Sequence, residues 1–149
     1  MSVRETCGVA EAGMHRTIPA LPVREMVAAV AFYVERFGFE VLHHDGGFAV
    51  LRRDEAVLHL WESSDEGWRS RTDFGENPVC SGAESFIAGT ASTRIEVADV
   101  DGLYGELRAA QVLHPVSRDG VDSTDFGTRE FATLDQDGNL LSFFRWVER

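Results

Sequence analysis

Cysteine is nearly absent. The 149 residues contain two, Cys7 and Cys80, far apart and outside any CxxC pair. That leaves no disulfide framework and makes a reducing cytoplasm the expected setting. Long apolar runs are missing as well. None approaches the ~18 consecutive apolar residues that cross a bilayer, and Met1 to Gly13 lacks the apolar stretch of a secretory signal. Positive charge is in short supply: 14 Lys and Arg stand against 25 Asp and Glu, for a net charge of −11. Such a chain suits neither nucleic acid, whose phosphates demand cations, nor an anionic membrane surface. It attracts a cationic ligand instead. There is no GxSxG elbow, Walker loop or dinucleotide fingerprint. Asp119, Asp122 and Asp125 do not follow the spacing of a calcium loop, and Cys80 has no histidine near it in sequence to activate it.

What is present is ordinary globular material, 44% hydrophobic and 26% charged. The length fits one domain whose core needs no metal or disulfide to hold it. Residues 1–16 read as a flexible tail, with Met14 as an alternative start, and 17–149 as the domain.

Ile18 to Val23 reads as a strand whose two prolines, Pro19 and Pro22, assign it to an edge. From Glu25 to Phe37, Met26, Val27, Val30, Ala31, Val34 and Phe37 recur at helical spacing, and Gly38 stands where a helix ends. Phe39–His44, Phe48–Arg52 and Ala56–Trp61 read as strands separated by tight turns. Glu62 to Ala91 is a long polar loop, the kind that often forms a lid or binding loop.

The order then repeats. Ser92–Ala98 reads as a strand, Asp101–Gln111 as a helix, and Val112–Val116 as a strand. A polar acidic loop follows, Ser117 to Asp125. Thr128–Leu134 and Leu140–Trp146 complete the set, joined by the turn Asp135-Gln136-Asp137-Gly138-Asn139. The chain is therefore expected to be α+β. Two βαβββ modules, 17–61 and 92–147, are joined by the loop 62–91, with curved mixed sheets around a cavity.

Side chains alternate across a strand, so each strand offers two faces. Leu58 and Leu60 suit packing, which leaves His59 and Trp61 opposite. Thr93, Ile95 and Val97 suit packing, which leaves Ser92, Arg94 and Glu96 opposite. Ser142 shares a face with Leu140, Phe144 and Trp146. The mixed polar and aromatic faces have the character of a ligand site.

The run from Ile18 to Trp61, with AFYVERFGFEV, VDGLYGELRAA and TREFATLDQDGNLLSFF, resembles the vicinal-oxygen-chelate superfamily of glyoxalases, extradiol dioxygenases and bleomycin-resistance proteins. The likeness spans about Thr17 to Trp146 and is most similar to the bleomycin-resistance branch. It implies a homodimer with grooves built from both chains. The ligand it implies is a glycopeptide antibiotic with a cationic tail and flat heteroaromatic rings, free or metal-chelated.

Superfamily enzymes hold a metal at four strand positions. Here those positions fall on Ile18, His59, Ser92 and Ser142, a set in which His59 alone is a metal ligand, whereas a catalytic site needs about three. His43 and His44 point to opposite faces of one strand. The resemblance thus implies stoichiometric binding with no metal, no cofactor and no catalytic residue. Phe48, Trp61, Trp68, Phe86 and Phe126 are the expected stacking residues. Glu96, Asp122 and Asp125 are the expected contacts for the cationic tail, with His59, Arg94 and Ser142 lining the groove. The branch is rich in aromatics on the strand where this chain carries Arg94 and Glu96. The second reading is a superfamily enzyme with a lost or relocated metal site, in which His59 serves as general base.

Overall fold

Helix α1, Met26–Phe37, starts where the Glu25 carboxylate accepts hydrogen bonds from the amides of Val27 and Ala28. It stops at Gly38, whose φ of 75° is left-handed and whose amide returns to the Tyr33 carbonyl. Between these caps Met26, Ala29, Val30, Tyr33 and Phe37 form one buried stripe. This computed structural model describes residues 12–64, 67, 70–73, 75–80 and 82–147.

Strand β1, Ala20–Val23, precedes the helix. Strands β2 (Glu40–His44), β3 (Phe48–Arg53) and β4 (Ala56–Glu62) follow it. They form a four-stranded sheet in the order β1-β4-β3-β2, with β1 parallel to β4 and the other pairs antiparallel. The β2–β3 turn is pinned by Asp45, whose Oδ1 accepts from the amides of Gly47 and Phe48 at 2.9 and 3.0 Å.

The second half repeats the plan. It runs through β5 (Ser92–Glu96), α2 (Val100–Ala109), β6 (Asp122–Ser123), β7 (Thr128–Leu134) and β8 (Leu140–Trp146). Its sheet has the order β5-β8-β7-β6, again with one parallel pair, β5 with β8. The α+β class and the paired βαβββ order are as expected from the sequence.

Three expectations need correction. Val112–Val116 is not a strand. Leu113 makes one isolated bridge to Thr133, and Pro115–Ser117 forms a 3-10 turn, because Pro115 brings no amide to a ladder. The sixth strand lies instead inside the acidic loop, as the two residues Asp122 and Ser123 paired with Glu130 and Arg129. Strand β1 begins at Ala20 rather than Ile18, after the Pro19 carbonyl has accepted from the His59 amide.

Both modules contribute to one core. Leu21, Val23, Ala49, Leu51, Leu58 and Leu60 of the first sheet share it with Phe131, Leu141 and Phe143 of the second. A helix residue bridges them, since Phe37 meets Phe143 at 6.4 Å between ring centroids, while within the second module Tyr104 meets Phe131 edge-on at 5.3 Å. Two polar ties add to this. Arg53 makes a forked ion pair with Glu106 at 2.8 and 2.9 Å and also donates to the Phe37 carbonyl. On the β7–β8 turn, buried Asn139 donates to the Pro22 carbonyl at 2.8 Å.

Candidate ligand-binding site

The two sheets turn their aliphatic faces to the shared core, so their mixed polar and aromatic faces look away from it. These outward faces are the candidate site.

On the first sheet, register places His43 opposite Val50, Val50 opposite His59, and His59 beside Ala20. One step along, Phe48 pairs with Trp61, which lies beside Pro22. The rings form a contiguous cluster. Phe48 lies 4.4 Å from Trp61, 5.0 Å from His59 and 5.7 Å from His43, centroid to centroid. His43 reaches the face because a bulge between Val41 and His43 shifts the register. Its Nε2 pairs with Asp45 at 2.9 Å. Partial burial holds the His59 imidazole below the usual histidine range, so it is neutral at pH 7.

The segment after β4 folds back on this cluster. The Ser64 amide donates to the Glu84 carbonyl at 3.0 Å, and the Ser63 hydroxyl donates to the Phe86 carbonyl. Gly82 lies against the Trp61 indole, where a Cβ would stand 2.2 Å from Nε1. A larger residue there would have to displace the indole, so glycine serves close approach rather than a turn. Phe86, 41% exposed, is thereby tied to the end of the Trp61 strand. Trp68 lies outside the described residues.

On the second sheet, Arg94, Glu96, Ser142 and Phe144 share the outward face with Glu130. The Arg94 guanidinium sits 4.7 Å above the Phe144 centroid. It forks onto Glu130 with bonds of 3.1 and 3.0 Å. The Thr128 hydroxyl donates to the same carboxylate at 2.7 Å. The hydrogen bond from Arg94 holds the Glu130 carboxyl below its usual range, and the bond to Glu130 raises Arg94 in turn. Phe126, 55% exposed, lies in the turn between β6 and β7, next to Gly127, whose carbonyl accepts from Val147 just beyond β8. Asp122 and Asp125 are exposed near it.

The structure thus brings Phe48, His59 and Trp61 together on one sheet, with Phe86 nearby, and Arg94, Glu96 and Ser142 together on the other. Sequence reasoning missed Glu130. Period-two alternation placed Phe144 on the face, but the link from Arg94 to Glu130 depends on the register of β5, β8 and β7.

The four residues that the resemblance assigns to the superfamily's metal positions differ in what they can donate. Ile18 is apolar, 38% exposed and outside β1. Ser92 and Ser142 are neutral hydroxyls, and His59 alone is a strong donor. Among the described residues, no group of three or more His, Cys, Asp or Glu is placed to hold a metal ion.

Paired βαβββ modules with open sheet faces define a recognisable architecture. Residues 14–143 match the Glyoxalase/Bleomycin resistance protein/Dioxygenase superfamily, and the chain belongs to that superfamily. It is 48% identical over 135 residues to bleomycin resistance proteins of Geobacillus stearothermophilus and Staphylococcus aureus, covering 91% of this chain and 99% of each relative. Among solved structures it is similar to the bleomycin-binding protein of bleomycin-producing Streptomyces verticillus, complexed with copper(II)-bleomycin. That likeness has a TM-score of 0.66 and 26% identity, and covers 93% of this chain and 100% of the other. The resemblance read from the sequence motifs is borne out. Among the described residues, no helix is long and apolar enough to cross a membrane.

Proposed function

We propose that this chain is a bleomycin-binding resistance protein that holds the drug stoichiometrically and does not turn it over. The observation that carries this reading is the outward ring cluster of Phe48, His59 and Trp61, a contiguous aromatic surface whose Trp61 and His59 rings are tilted by 39° and 87° to Phe48, with polar groups at its edge. Its support from relatives is the 48% identity to bleomycin resistance proteins and the likeness to a protein solved with copper(II)-bleomycin.

In this reading Phe48, Trp61, Trp68, Phe86 and Phe126 stack on the flat rings of the drug. His59 and Ser142 line the groove, and Glu96, Asp122 and Asp125 face the cationic tail. The net charge of −11 draws the drug in. A second copy of the chain completes the groove, since each four-stranded sheet ends in open edge strands that need covering. The setting is cytoplasmic.

Binding is preferred to catalysis on chemical grounds. Ile18, His59, Ser92 and Ser142 supply too few ligands for a catalytic metal. His59 has no hydrogen-bond partner on its ring among the described residues to orient it as a base.

A tryptophan-fluorescence titration with metal-free and copper-loaded bleomycin, at low and physiological salt, tests the reading. Saturation near one drug per chain, weakening with salt, is expected. No response at high micromolar drug refutes it. Light scattering should return the mass of a dimer.

A further inference from the structure

The two outward faces correspond residue by residue through their registers. Pro22, Trp61 and Phe48 lie side by side on β1, β4 and β3. Glu96, Phe144 and Glu130 lie side by side on β5, β8 and β7. At this corresponding level the first sheet sets ring against ring, Phe48 and Trp61 tilted by 39° with centroids 4.4 Å apart. The second has a carboxylate in place of Phe48, and the layer over its aromatic ring is the guanidinium of Arg94.

That guanidinium is held like a ring. Two bonds to Glu130 fix its plane, the Thr128 hydroxyl fixes Glu130, and Phe144 supports one side. Arg94 is the outer partner of the pair: its side chain is 46% exposed, against 21% for Glu130. The guanidinium carbon lies over the Phe144 ring and the side chain is 46% exposed, so among the described residues a flat group can reach it from solvent, and planar delocalised cations stack well on rings. Its charge is cancelled by Glu130, so it need not repel a cationic ligand.

We propose that Arg94 is the stacking platform of this half of the groove. It takes a planar heteroaromatic ring of the ligand on its solvent side, and Glu130 is the positioning residue that fixes the orientation of its plane and leaves the pair with no net charge. The inference rests on the drug-binding reading above and adds the residues that select the ring.

The test follows the Arg94 side-chain Nε–H in 1H–15N spectra of the full chain, assigned by its loss in Arg94→Lys. Two probes are added separately, metal-free bleomycin and quinoline, a flat neutral heteroaromatic. Stacking moves the Nε–H proton upfield through the ring current. Arg94→Lys keeps the charge but loses the plane, and is expected to bind bleomycin at least about tenfold more weakly. Glu130→Gln leaves the cation uncancelled. Its loss should be largest at low salt and shrink as salt screens the repulsion, which a merely structural role would not produce. Glu130→Asp should recover part of the binding.

If bleomycin binds but the Arg94 signal stays still and Arg94→Lys binds like the parent, the platform is wrong and the drug reading stands. If quinoline moves the signal but bleomycin does not bind, the platform stands and the drug reading falls. If neither probe has an effect, both fall.

Discussion

The Tyr33 hydroxyl donates to Asp135 Oδ2 at 2.8 Å, joining helix α1 to the β7–β8 turn across 102 residues of sequence. The same carboxylate accepts from the amides of Asp137 and Asn139 and from the Asn139 side chain. A buried charge is tolerable when its lone pairs are filled in this way. The first module thereby gains a fixed seat on the second, which sets the two outward faces in relation to each other.

Replacing Tyr33 with phenylalanine removes one donor from this buried carboxylate. The expected cost is about 1.5–3 kcal/mol, the range for hydrogen bonds to charged groups, read as a lower urea midpoint at unchanged slope. Burial and the neighbouring Asp135 raise the Tyr33 hydroxyl well above the ordinary tyrosine value. Its contribution is therefore complete below about pH 10 and is lost as pH rises through the higher folded value. Tyr33→Phe should lack that alkaline decline.

Gly82→Ala puts a methyl group into the space held by the Trp61 indole. The chain must lift or the indole must turn. An overpacking cost of about 1–3 kcal/mol is expected. In a background with Trp68 and Trp146 replaced by phenylalanine, the emission of Trp61 should shift to the red. Unchanged emission would mean that the segment does not press on the indole.

Trp61→Ala and Phe48→Ala should each weaken bleomycin binding by about tenfold or more, in line with about 1–3 kcal/mol for ring stacking on a base. Calorimetric titration separates this from unfolding, because thermal melting is recorded on the same samples. Equal losses in the single variants and the double variant would identify one stacked unit.

The Arg53–Glu106 fork is only partly buried, with side chains 32% and 47% exposed. A double-mutant cycle with Arg53→Gln and Glu106→Gln should return about 1 kcal/mol or less, smaller still in high salt. The hydrogen bond from Arg53 lowers the Glu106 carboxyl. Its contribution is therefore present above about pH 4.3, the ordinary glutamate value, and is lost as pH falls through the lower folded value. Acid titration of the Glu106→Gln variant should be flatter in that range.

Much of the architecture was legible before the coordinates. Helix α1 announces itself through the spacing from Met26 to Phe37 and the stop at Gly38, and the alternation in Ala56–Trp61 placed Leu58 and Leu60 inward with His59 and Trp61 outward. The short strand β6 was hidden because Asp122 and Ser123 have no strand propensity and pair only through the register of β7. Val112–Val116 misled because its apolar content looked like a strand while Pro115 forbade one. Gly82 gave no sign of its role, since its partner lies 21 positions earlier. The Arg94–Glu130 pair joins residues on β5 and β7 with β8 between them, a relation that no local pattern carries.

The most direct test of the account is equilibrium dialysis of the chain against metal-free bleomycin, followed by mass spectrometry of the drug released on denaturation. Sequestration predicts retention near one drug per chain, and every molecule recovered with its mass unchanged. Drug that is not retained, or that returns chemically altered in proportion to time, would contradict it.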